Sequence, residues 1–101
     1  MSAARAGDGG RSVAAHLLVS GRVQAVGFRA FTRAAARRCG AAGWVRNLSD
    51  GRVEAWAQGP RPVVEALVAA LRSGPAHGRV DAVEVAWTEP EEGHGDFTIR
   101  R

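Results

Sequence analysis

The spacing of apolar positions along the chain changes several times, and each change marks an element. An apolar run from Val13 to Val19, rich in side chains that suit a pleated, half-buried surface, stops at Ser20-Gly21 and predicts a first strand over Val13 to Ser20. After a short segment with a second glycine at Gly27, helical spacing begins at about Phe28 and runs to Cys39. It puts Phe28, Phe31, Ala35 and Cys39 on one face and Arg29, Arg33 and Arg37 on another. Gly40 ends that helix, and Ala42 to Leu48 predicts a second strand. Ser49-Asp50-Gly51 is a turn signal, beyond which Val53, Ala55 and Ala57 alternate with Glu54, Trp56 and Gln58, so the two strands form a hairpin.

Gly59-Pro60 is expected to break the third strand. Pro62 suits a first helical turn, and Val64, Leu67, Val68 and Leu71 fall at i, i+3, i+4 and i+7 before Gly74-Pro75 closes the helix. Val83, Val85 and Trp87 then alternate with Glu84 and Ala86 in a strand from about Arg79 to Thr88, and Phe97 and Ile99 alternate with Thr98 in a short closing strand. Strand, helix, strand, strand, helix, strand, plus one short strand, is the order of an α+β, ferredoxin-like split βαβ sandwich. In it an antiparallel sheet carries two helices on one face. The first twelve residues, small and Gly-rich with no apolar core, read as a disordered tail, and residues 13 to 101 as one domain.

Composition narrows the chemistry. With 46% hydrophobic and 24% charged residues the chain has the balance of an ordinary globular domain. The net charge of +4 and pI near 11.2 favour anionic partners, phosphorylated metabolites and nucleic acid alike. All 14 basic residues are Arg, so a phosphate loop that depends on Lys is excluded. Cys39 is the single cysteine, which rules out an internal disulfide. No stretch approaches a membrane span, and a cytoplasmic protein is expected. His16, His77, His94 and Cys39 lack metal-ligand spacing.

Two places could carry function. The segment between the first strand and the first helix feeds a helix N-terminus, where unpaired N–H groups and the helix dipole attract anions. Arg29 in the first turn is unfavourable against that dipole by roughly 0.3–1 kcal/mol unless an anion lies between them. The loop alone leaves two readings: Arg29 extends into water, or it shares an anion with the loop amides. Asn47, at the end of the second strand, likewise reads as a turn former or as a neutral amide that holds a water or an oxyanion.

Gly21-Arg22-Val23-Gln24-Ala25-Val26-Gly27-Phe28-Arg29, then Gly43-Trp44-Val45-Arg46-Asn47-Leu48-Ser49-Asp50-Gly51-Arg52-Val53 and Gly59, resemble the pair of signatures of the acylphosphatases. The resemblance covers about residues 13 to 101. It implies hydrolysis of the carboxyl–phosphate bond of acyl phosphates without metal or cofactor. By position, Arg29 is then the phosphate-binding arginine and Asn47 the residue that orients the attacking water. Arg22, Val23, Gln24, Ala25, Val26, Gly27 and Phe28 would form the loop that offers backbone N–H groups to phosphate oxygens. Ala25 stands where the family most often has Gly, and its methyl group is accommodated if the local φ is negative. The implied partners of this expected monomer are the acyl phosphate and inorganic phosphate as product or inhibitor, with no nucleic acid and no membrane. The alternative is a ferredoxin-like nucleic-acid-binding module, with Trp44, Trp56 and Arg46 on the open sheet face.

Overall fold

A computed structural model of the chain describes residues 12–101, and the expected tail falls outside them except for Ser12, which opens the first strand. The elements are β1 (Ser12–Arg22), α1 (Phe28–Cys39), β2 (Ala42–Asn47), β3 (Val53–Pro60), α2 (Arg61–Ser73), β4 (Arg79–Thr88) and β5 (Phe97–Ile99). They build one sheet in the order β4-β1-β3-β2-β5. The first four strands pair antiparallel, while β5 joins the edge parallel to β2, so the complete sheet is mixed.

Period-two alternation decides which side of the sheet is dry. Ala15, Leu17 and Val19 of β1 lie opposite Ala57, Ala55 and Val53 of β3 and share the core with Val45, Val83 and Phe97. Both helices cover that face, α1 over β2 and β5 and α2 over β1, β3 and β4. The four apolar positions expected on α2, Val64, Leu67, Val68 and Leu71, are its buried residues. On α1 the buried stripe is Phe28, Thr32, Ala35 and Ala36, with Phe31 partly buried. Thr32 enters the core because its hydroxyl donates to Phe28 O at 2.8 Å, which satisfies the polar group locally.

Three strand ends depart from the sequence reading: β1 runs two residues past Ser20, which puts Arg22 in the strand and not in the loop, β2 stops at Asn47, one short of Leu48, and β3 continues to Pro60. Gly59-Pro60 does not break β3, which stays paired to β1 through Val13↔Gly59 and Ser12↔Pro60. At φ −54° and ψ 143° Pro60 has extended backbone at the strand's end, and α2 begins directly after it.

The other face of the sheet holds His16, Glu54, Trp56, Trp44 and Arg46, aligned across β1, β3 and β2. The Glu54 carboxylate accepts from His16 at 2.6 Å and from Arg46. His94, from the β4–β5 connection, stacks on Trp56 with centroids 4.8 Å apart, and Trp56 is only 6% exposed.

Candidate active site

β1 leaves its pairing with β3 at Val19 but continues beside β4, with a register shift between Ser20 and Gly21. Gly21 is needed there: it has φ +126°, and a Cβ would lie 2.2 Å from Arg79 O. In the loop that follows, Val23 is buried, Val26 packs against the core and Phe28 is buried at the start of α1. These three anchors hold the intervening backbone at the surface.

Ala25 has φ +60° and Gly27 φ +78°, with no positive φ between them. Such alternation turns successive N–H groups toward one concavity and makes an anion-binding nest. The condition under which its methyl group is readily accommodated, a negative φ, is therefore not met. A left-handed conformation costs a residue bearing a Cβ roughly 1–2 kcal/mol. Gly27 is the N-cap of α1 and makes no side-chain cap hydrogen bond, and the first turn holds no acidic residue. The first intrahelical bond runs from Phe31 N–H to Gly27 O at 2.9 Å, which leaves the N–H groups of Phe28, Arg29 and Ala30 without an intrahelical acceptor.

A cleft of about 230 Å³ opens at this point, lined by Val23, Ala25, Gly27, Phe28, Arg29, Ala30, Asn47 and Ile99. Arg29 and Asn47, distant in sequence, thus meet in one site. Arg29 is half-buried and forms no ion pair among the described residues, whereas Arg37, Arg46, Arg52, Arg61 and Arg79 each pair with a carboxylate. Asn47 Oδ1 is buried and accepts no hydrogen bond from another described residue, so its acceptor is available to a ligand or a water in the cleft. No carboxylate lines the cleft, so Arg29 and the free amides give it a positive field. Among the described residues no three His, Cys, Asp or Glu side chains gather to hold a metal ion.

The hairpin that presents Asn47 is closed by its Asp-Gly turn. Asp50 accepts the backbone N–H of Arg52 at 3.0 Å and the Arg52 guanidinium at 2.8 Å, and the backbone bond first, then the guanidinium, holds its carboxyl below the ordinary value. Leu48 N–H donates to Arg52 O at 2.8 Å.

Of the expected loop, Val23, Ala25, Gly27 and Phe28 line the cleft; Arg22, Gln24 and Val26 do not. Val26 is a packing anchor, and the Gln24 side chain turns to the β2–β3 hairpin, donating to Leu48 O at 2.7 Å and Arg52 O at 2.9 Å. Ala30 and Ile99 were not legible as site residues. Ile99 arrives only because β5 lies parallel to β2, with Val45 opposite Ile99, and no local signal in three residues announces that pairing. For the nucleic-acid alternative, the open face presents a single accessible indole, Trp44, with the guanidinium carbons of Arg46 and Arg100 at 5.6 and 4.6 Å from its ring. Trp56 lies under His94.

The chain is similar to known proteins over most of its length. The family model described as acylphosphatase matches residues 15–99. An acylphosphatase of Chloroflexus aurantiacus is 55% identical over 87 residues, spanning 86% of this chain and 95% of that protein. One from Roseiflexus sp. is 52% identical over 85 residues, spanning 84% and 91%. The crystal structure of acylphosphatase from Bacillus subtilis superposes with a TM-score of 0.85 at 38% identity, covering 88% of this chain and 99% of that one.

Proposed function

Because the chain belongs to the acylphosphatase family, we propose that it hydrolyses the carboxyl–phosphate bond of acyl phosphates through the cleft between the β1–α1 loop and Asn47. The observation that carries this reading is the donor set. Free amides at an uncapped helix N-terminus, an arginine without a carboxylate partner and an orphaned side-chain amide line one cleft that contains no acidic group.

In this reading the phosphoryl group sits in the loop nest, bound by Arg29 and by backbone N–H groups of the cleft-lining residues Ala25, Gly27, Phe28 and Ala30. The guanidinium fork matches two phosphate oxygens, and it faces the same charge in the transition state. Asn47 holds the attacking water. The water oxygen forms a bond to phosphorus, the bond from phosphorus to the carboxylate oxygen breaks, and the carboxylate departs with the electron pair. A carboxylate is a weak base, with a pKa of about 4, so no general acid is required. The water's proton passes to a phosphate oxygen of the substrate, which replaces the basic side chain that the cleft lacks. Positioning and charge stabilisation then supply most of the rate. The partners are the acyl phosphate and inorganic phosphate as product and competing ligand. In the same reading the chain acts as a cytoplasmic monomer without nucleic acid or membrane.

The test is benzoyl phosphate hydrolysis in the presence of EDTA. Phosphate release that persists in EDTA and is inhibited competitively by inorganic phosphate is the expected result. No release, together with tight, salt-sensitive binding of single-stranded RNA, would replace this reading with the nucleic-acid one.

A further inference from the structure

The loop and Asn47 belong to strands that are not neighbours. β1 feeds the loop, β2 carries Asn47, and β3 lies between them. At the site end of the sheet the last pairs on β3 are Val19↔Val53 from β1 and Asn47↔Val53 from β2. Beyond Val53 no ladder spaces the loop from Asn47, although both must close on one ligand. The Gln24 side chain bridges this gap. Its Nε2 donates 2.7 Å to Leu48 O and 2.9 Å to Arg52 O, the residues just outside those last pairs. Arg52 O also accepts Leu48 N–H at 2.8 Å, so both bonds end on the closed base of the hairpin turn. Two carbonyl acceptors admit only the NH₂ end of the amide, which fixes its orientation. The next residue is Ala25, at φ +60°, a conformation that must be held by its surroundings.

We propose that Gln24 is a positioning residue that sets the distance between the phosphate nest and Asn47, and that it acts on turnover through Asn47 without taking part in phosphate binding. This rests on the acyl-phosphate reading above. A water held by Asn47 must attack in line with the leaving carboxylate, and displacement by about 1 Å costs such a reaction up to about 10²-fold. The nest and Arg29 bind the phosphoryl group from the other side and keep their anchors, Val23, Val26 and Phe28, when Gln24 is changed.

The experiment compares the parent, Gln24→Ala, Gln24→Met, Asn47→Ala and the double variant Gln24→Ala/Asn47→Ala. It measures kcat and KM for benzoyl phosphate, inhibition by inorganic phosphate, and the urea midpoint. Met fills the space of Gln without its donors, so the test stands if Ala at this position fails to fold. The expected result is a kcat lowered about 10- to 100-fold in both Gln24 variants, with phosphate inhibition within about threefold of the parent. In the Asn47→Ala background the further effect of Gln24→Ala should be under about twofold, since a residue that works through Asn47 has nothing left to position. Equal fold-losses in both backgrounds, a parallel loss of phosphate affinity, or an unchanged kcat would each overturn the proposal for Gln24 while leaving the hydrolytic reading intact. An inactive parent would overturn both.

Discussion

Ala25 holds a left-handed backbone without being glycine, and it does so in the loop that forms the nest. Replacing it by Gly removes roughly 1–2 kcal/mol of backbone strain and adds about 0.4–1 kcal/mol of unfolded-state entropy. Ala25→Gly should therefore stabilise the fold by about 0.5–1 kcal/mol, read from the urea midpoint at unchanged m-value. Asn47 tells a related story in its side chain. Its Oδ1 accepts no hydrogen bond from another group of the described residues, so removing the side chain costs the fold no internal bond to that atom. Asn47→Ala should thus leave the fold as stable as the parent, while kcat falls on the order of 10²–10³-fold. A variant that loses stability and activity together would make Asn47 a structural residue. From sequence, Asn47 could be read as a turn former or as a site residue; its place beside Arg29 in one cleft, with Oδ1 buried, supports the second.

Among the elements, β3 ties the sheet together on both faces. Its Glu54 takes His16 from β1 and Arg46 from β2, and its carboxylate is 15% exposed. Burial by itself raises the carboxyl's pKa, and the hydrogen bonds and charges of His16 and Arg46 outweigh it, so the net direction is downward from 4.5. A carboxyl lowered on folding adds stability that is complete above its ordinary value and is lost as pH falls through the lowered one. Glu54→Gln should consequently reduce stability by about 1 kcal/mol at neutral pH and make no difference in acid, where the parent carboxyl is itself protonated. Denaturation of both proteins across that pH range checks the sign. Element identity was the readable part of the fold. The bounds of α1 and β4 match the apolar spacing, and the buried positions of α2 are those its period names. The end of β3 was not readable, because Pro60 breaks a strand only where its missing N–H is needed, and that depends on the register with Ser12.

At the scale of the whole molecule, the net charge of +4 is the balance of 14 arginines, which look alike in sequence, against 10 acidic residues. Among the described residues five pair with carboxylates, and Arg29, which does not, is set in a cleft of free amides. A ligand that binds only the folded state stabilises it by mass action. Inorganic phosphate at ten times its dissociation constant should contribute about 1.4 kcal/mol, a rise of about 6–11 °C in Tm for a domain of this size. The rise should vanish in Arg29→Ala, whereas sulfate-free buffer of equal ionic strength should not produce it in the parent. By itself the sequence determined the elements, their order and the dry face of α2 and of the central strands β1 and β3, because spacing and turn residues act over a few positions and need no distant partner. Tertiary structure alone decided the parallel seat of β5 that brings Ile99 to the cleft, the left-handed turn at Ala25, the Gln24 bridge and the pairing that leaves Arg29 without a carboxylate. Each of these depends on groups far apart in the chain, whose distance is set only once the sheet has closed.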